Sequence, residues 1–108
     1  MTFVFNYARA AIVAAALMGA SVAVKAADMP VSIDNFVFTP AETQVSVGTT
    51  VVWTNNDDIP HTVVDGDHKW KSSALDTGDK FSHTFTEPGT FEYFCSLHPH
   101  MTAKIIVK

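Results

Sequence analysis

Phe81-Ser82-His83-Thr84-Phe85-Thr86-Glu87-Pro88-Gly89-Thr90-Phe91-Glu92-Tyr93-Phe94-Cys95 decides the fold class. Phe81, His83 and Phe85 fall on one face of an extended chain, with Ser82 and Thr84 on the other. Phe91, Tyr93 and Cys95 repeat the pattern after a break at Glu87-Pro88-Gly89. A period of two is that of a half-buried strand, and Pro followed by Gly is a turn signal. Downstream, Ala103 to Val107 reads as the last strand. Upstream, Val31, Ile33, Phe36 and Phe38 read as a first strand broken near Asp34-Asn35 and ended by Pro40. Gln44 to Val47 follows, with Val45 and Val47 assigned to one face, and Gly48 turns the chain into Thr50 to Thr54. Asn55-Asn56-Asp57-Asp58 reads as a polar loop, His61 to Val64 as the start of another strand, and 65–78 as a mostly irregular loop containing Trp70 and Leu75. About seven to eight short strands with no helical period predict an all-β protein, an antiparallel β-sandwich.

The first 26 residues do not read as part of that domain. Arg9 precedes an apolar run from Ala10 to Val24, which ends in Val24-Lys25-Ala26-Ala27. A cationic leader, an apolar stretch and small residues at the junction are the layout of a secretory signal. The cut is expected after Ala26, with Ala27 as the alternative, leaving 27–108 as the folded domain and the periplasm as its destination. A retained anchor is the other reading, but a spanning helix needs about 20 apolar residues and Lys25 interrupts first.

Removing that leader takes away Arg9 and Lys25, leaving five Lys against 11 acids, a formal charge of −6. An acidic surface argues against nucleic acid and anionic membranes and for encounter with basic partners at low salt. The domain is small for a self-supporting core. With Cys95 as the one cysteine, no disulfide can staple it, and a bound metal accounts for both facts.

The chemistry concentrates in Cys95-Ser96-Leu97-His98-Pro99-His100-Met101, a loop between two predicted strands. A thiolate, an imidazole and a thioether within seven residues suit copper, and two His, one Cys and a weak axial Met describe an electron-transfer copper site. His61, at a strand start just after Pro60, supplies the second imidazole. The predicted ligands are therefore His61, Cys95, His98 and Met101. Zinc is the rival metal, but a Met ligand is out of character for it.

Val51-Val52-Trp53-Thr54-Asn55, Ile59-Pro60-His61, Phe85-Thr86-Glu87-Pro88-Gly89-Thr90 and the Cys95-x2-His98-Pro99-x-Met101 loop together resemble the cupredoxin (type 1 blue-copper) family. The tight ligand loop is similar to the amicyanin type, with pseudoazurin and plastocyanin more distant. The resemblance implies a Greek-key β-sandwich, one type 1 copper ion and one-electron shuttling outside the cytoplasm. It also implies a protein redox partner such as a c-type cytochrome or an amine dehydrogenase, a monomer, and an electron port at the His98 edge. Leu97, Pro99, Pro60 and Ile59 would form an apolar collar around that port. In the amicyanin type the C-terminal His can protonate and leave reduced copper, which implies the same switch at His98. Three positions depart from the pattern. Thr62 stands where Asn commonly braces the Cys loop, His100 where the amicyanin type has an apolar residue, and His83 where an aliphatic one is expected.

His100 and His68 are expected at the surface, His83 on the apolar face, and Trp53 and Trp70 in packing roles. The competing functions are a copper storage or delivery module and a copper enzyme. Storage or delivery favours exchangeable Met- and His-rich sites, and an oxidase or nitrite reductase needs more copper centres than one small domain supplies.

Overall fold

Alternating apolar residues in 27–108, the residues described by the computed structural model, form eight strands. They are β1 (Met29–Asp34), β2 (Val37–Thr39), β3 (Glu42–Val45), β4 (Thr50–Asn55), β5 (Val64–Asp65), β6 (Lys80–Thr84), β7 (Gly89–Phe94) and β8 (Thr102–Val107). The expected signal segment and its cleavage point lie outside the described residues. Among the described residues, no helix is long and apolar enough to cross a membrane.

The strands make two four-stranded sheets, ordered β2-β1-β4-β6 and β3-β8-β7-β5. The expected sandwich is present, but it is not purely antiparallel, because β1 pairs with β4 and β3 with β8 in parallel. The physical reason is chain routing. After the β1–β2 pair the chain crosses to the second sheet as β3 and returns to the first as β4, beside β1, so the neighbours run the same way. The Glu87-Pro88-Gly89 turn likewise joins no hairpin. It carries the chain from β6, paired with β4, to β7, paired with β8 and β5. Two further expectations shift. The third strand ends at Val45, and Val47 points to solvent with 45% exposure. The strand expected from His61 is confined to Val64–Asp65, with His61 joined to Leu75 by a single bridge.

The alternating residues meet between the sheets. Val31, Ile33, Phe38, Val51, Trp53 and Phe85 from one side pack with Tyr93, Cys95, Ile105 and Val107 from the other. Phe38 on β2 stands edge-on to Tyr93 on β7, with ring centroids 4.8 Å apart, so this pair ties one sheet to the other. Trp53 contacts Tyr93, Phe81 and Trp70, and Trp70 stacks on half-buried His83 at 4.6 Å. Both tryptophans and His83 therefore serve packing, as the sequence implied. Burial lowers the His83 pKa, opposed by the charge of Asp65, which favours a neutral ring in this stack.

Phe38→Ala should destabilise the metal-free domain by about 3–5 kcal/mol, read as a lower denaturant midpoint at unchanged slope. Against a total of only about 5–15 kcal/mol for a typical domain, this loss would leave a marginal fold. A shift under about 1 kcal/mol would show that the Phe38–Tyr93 contact does not join the sheets.

Candidate metal centre

His61 reaches its place through backbone geometry. Pro60 precedes it, its N–H donates to Leu75 O at 3.1 Å, and the Leu75 N–H donates back at 2.7 Å. The ring is wholly buried. Cys95 follows the last residue of β7 and is also wholly buried. From there the chain makes two tight turns before β8. The His98 N–H donates to Cys95 O at 3.2 Å, the Met101 N–H to His98 O at 2.9 Å, and the Cys95 N–H to Met101 O at 3.1 Å. This spacing folds the loop onto itself and leaves Met101 buried and His98 half-buried.

Two distant segments thereby converge. Cys95 Sγ lies 3.8 Å from His61 Nδ1 and 3.6 Å from His98 Nδ1. The donor atoms of the three residues all lie within 4.8 Å of one another. Metal–nitrogen and metal–sulfur bonds of about 2.0–2.3 Å at open angles span donors about 3.5–4 Å apart, so one ion fits among them. Soft sulfur with two imidazoles suits copper. His100 and His68 are exposed, and with His83 they stand outside this cluster.

The surrounding groups favour the thiolate. Burial alone would push the Cys95 thiol up. The Thr62 N–H at 3.4 Å, the His61 ring, the Thr62 hydroxyl at 3.6 Å and the His98 ring outweigh it and bring the pKa from 9.0 down to about 6. Thr62, at the first departure from the family pattern, does brace the loop. Its Oγ1 accepts the Ser96 N–H at 2.8 Å and lies 2.8 Å from Ser96 Oγ.

Two contributors went unread in the sequence. Asp57 Oδ2 lies 2.9 Å from His61 Nε2, in a buried contact. The hydrogen bond to His61, against burial and with help from the Phe36 and Asp58 N–H groups, holds the Asp57 carboxyl down at about 2. A carboxylate on the far nitrogen of a ligating His fixes its tautomer and orientation. Asn55 in turn holds the loop. It is fully buried, its Nδ2 donates to Ile59 O and Leu75 O, and its Oδ1 accepts the Asp57 N–H. The available signal was a carboxylate four residues before a candidate ligand. The second unread residue is Phe36, whose ring stands edge-on to both His61 and His98.

The family model for copper binding proteins of the plastocyanin/azurin family matches residues 23–108. The chain belongs to this family. It is 32% identical to the amicyanin of Paracoccus versutus over 95 residues, covering 79% of this chain and 72% of that protein. Among solved structures, a purple cupredoxin from Nitrosopumilus maritimus superposes with a TM-score of 0.72 at 34% identity, over 75% of this chain and all of the other. A copper-containing nitrite reductase from Thermus scotoductus superposes with a TM-score of 0.72 at 29% identity, over 82% of this chain but 24% of that one. The chain is thus a cupredoxin close to the amicyanin type. The cofactor of this cupredoxin is one copper ion of the type 1 kind, which the thiolate-and-imidazole donor set fits.

In the metal-free protein, the ultraviolet absorbance of the thiolate should titrate with a midpoint near pH 6. The folded value lies below the unfolded one, so this group's stabilisation is fully present above pH 9, declines as pH falls toward 6, and is absent below. Thr62→Val, which removes the hydroxyl contact, should move the midpoint upward. A midpoint near the ordinary thiol value in the unaltered protein would contradict the hydrogen-bonding account.

Proposed function

We propose that this protein is an exported, soluble carrier of single electrons in which His61, Cys95, His98 and Met101 hold the copper. The observation that carries this reading is the meeting of His61 Nδ1, Cys95 Sγ and His98 Nδ1 at the end of the sandwich, in a cupredoxin. When bound, copper supplies a reversible Cu(II)/Cu(I) couple.

The chain's own residues do the rest. Cys95 brings the negative charge, as the thiolate is the metal-binding form. His61, held by Asp57 on its outer nitrogen, keeps its inner nitrogen aimed at the centre. Met101, buried and closing the loop, would offer its thioether sulfur as a further, weaker ligand. The two turns of the 95–101 loop and the Thr62 bonds to Ser96 hold the donors in one geometry, which limits rearrangement between oxidation states. His98 is the least buried of the three clustered donors and provides the port. Leu97, Pro99 and Pro60 are exposed and Ile59 half-exposed around it, a collar suited to weak, brief docking.

Residues 1–26 would direct export to the periplasm, with cleavage after Ala26. The acidic surface and the family likeness favour a c-type cytochrome or an amine dehydrogenase as partner and a monomeric carrier. A single donor cluster among the described residues, and overlap with only a quarter of the nitrite reductase chain, favour a carrier over an enzyme.

Adding Cu(II) to the purified 27–108 domain should give an intense visible charge-transfer band and a reversible one-electron voltammetric wave, and Cys95→Ala should abolish the band. Copper that binds without either signal and leaves quickly to a chelator would instead identify a storage or delivery module.

A further inference from the structure

His61 and His98 are held in different ways. The outer nitrogen of His61 meets the Asp57 carboxylate, the usual device for fixing a ligating imidazole. Among the described residues, the one side-chain hydrogen-bond contact of His98 is the inward one, from Nδ1 to Cys95 Sγ. Its outer nitrogen has no such anchor, and His98 sits on a short surface loop. Something else must keep that ring from turning.

Phe36 is in the right place. Its ring centroid lies 5.0 Å from that of His98 at 87° and 5.7 Å from that of His61 at 88°, while the two imidazoles are 4.9 Å apart. The three rings form a near-equilateral triangle in which Phe36 stands edge-on to both others. Edge-to-face contacts of this kind are favourable beyond the area they bury.

The backbone shows how the ring reaches this place. Phe36 has φ 62° and its neighbour Asn35 φ 51°. These are the two central residues of the β1–β2 hairpin, where Asp34 pairs with Val37, and a two-residue turn of this kind requires positive φ at both, although a bulky residue is an unusual occupant. Asn tolerates this region and Phe does not. No core burial compensates, since the Phe36 ring is 50% exposed. The turn is tied down by the Phe36 N–H, which donates to Asp57 Oδ2 at 3.2 Å. That oxygen is the one that meets His61 Nε2. One carboxylate oxygen therefore ties the β1–β2 turn to the buried imidazole, and the turn sets an aromatic ring against the half-buried one.

We infer that Phe36 is a positioning residue for the metal centre, a clamp whose ring holds His98 in its ligating orientation and slows release of the metal. The inference rests on the ligand assignment proposed above. It extends the Asp57 device from one imidazole to both, by hydrogen bond for His61 and by ring contact for His98.

The test uses the copper-loaded 27–108 domain and two variants. Phe36→Gly removes the ring and suits a positive φ, so the fold should tolerate it; Phe36→Tyr keeps the ring. The primary reading is the rate of Cu(I) transfer to an excess of a chromogenic chelator, with the Cu(II) paramagnetic resonance spectrum alongside. Phe36→Gly should release copper more than threefold faster than the unaltered protein and alter the spectrum, while Phe36→Tyr stays within threefold. The thermal midpoint of the metal-free Phe36→Gly protein should be no lower than that of the unaltered one, which separates clamping from general loosening. Release within threefold for Phe36→Gly, equal acceleration in both variants, or a lowered metal-free midpoint would each overturn the clamp. An unaltered protein with no charge-transfer band would overturn the ligand assignment itself, and the clamp with it. A normal band with unchanged Phe36→Gly release overturns the clamp alone.

Discussion

The metal centre depends on one hydrogen-bonded chain that runs between segments 34 residues apart. Asp57 holds His61 from outside, and His61 faces Cys95 across 3.8 Å. The next residue, Thr62, grips the cysteine loop by its hydroxyl and backbone N–H. The linking groups Asp57, His61, Thr62 and Cys95 of the two segments are buried, where an unpaired group would cost about 1–3 kcal/mol. Each therefore needs the other, and the sandwich supplies the contact by pairing β5 with β7 directly above Cys95. The geometry of the donors is thus fixed by protein contacts, and an ion has to fit the site more than shape it.

This arrangement also explains how a domain with a single cysteine and no disulfide holds its open end. The two sheets are joined along most of their length by side chains such as Phe38, Trp53 and Tyr93. At the ligand end the core gives way to polar groups: Asn55, Asp57, His61 and Thr62 are all buried. Hydrogen bonds replace apolar contact there, and a metal bonded to His61, Cys95 and His98 would link two loops that no covalent bond joins. In small metal-binding domains, binding energy is in part folding energy. The same converging groups that lower the thiol's pKa prepare the site for a cation.

The strands were legible because alternation survives any topology: Val51 and Trp53, or Phe91, Tyr93 and Cys95, share a face whichever sheet receives them. Sheet membership was not legible. Glu87-Pro88-Gly89 marks a turn equally well for a hairpin and for a crossing between sheets, and only the pairing of β6 with β4 distinguishes them. The clustered donors were legible where spacing is short, as in Cys95-x2-His98. His61 was found through its Pro60 neighbour and the family resemblance. Asp57 and Phe36 escaped because their roles arise from chain reversal. Asp57 sits in a run of four polar residues that reads as solvent-facing, and its neighbour Asn55 turns it inward. Phe36 alternates with Phe38 as a core residue would, yet the positive φ at 35 and 36 rotates it out of the strand and onto the imidazoles. The same local reversal places Val37 on the surface and Phe38 in the core.

An electron port has to satisfy two conflicting demands. The centre must exclude water and stay rigid, yet one ligand must come close enough to the surface for a partner to approach. A hydrogen-bonded anchor on the outer nitrogen of His98, like the one Asp57 supplies to His61, would secure the ring but put a polar group, and its hydration, at the point of contact. An apolar edge from Phe36 restrains the ring while leaving that contact point uncharged. The asymmetry between the two imidazoles, one meeting a buried carboxylate and one an exposed aromatic ring, then follows from their positions in the proposed site: the inner ring can be anchored by charge, and the outer one has to be anchored without it.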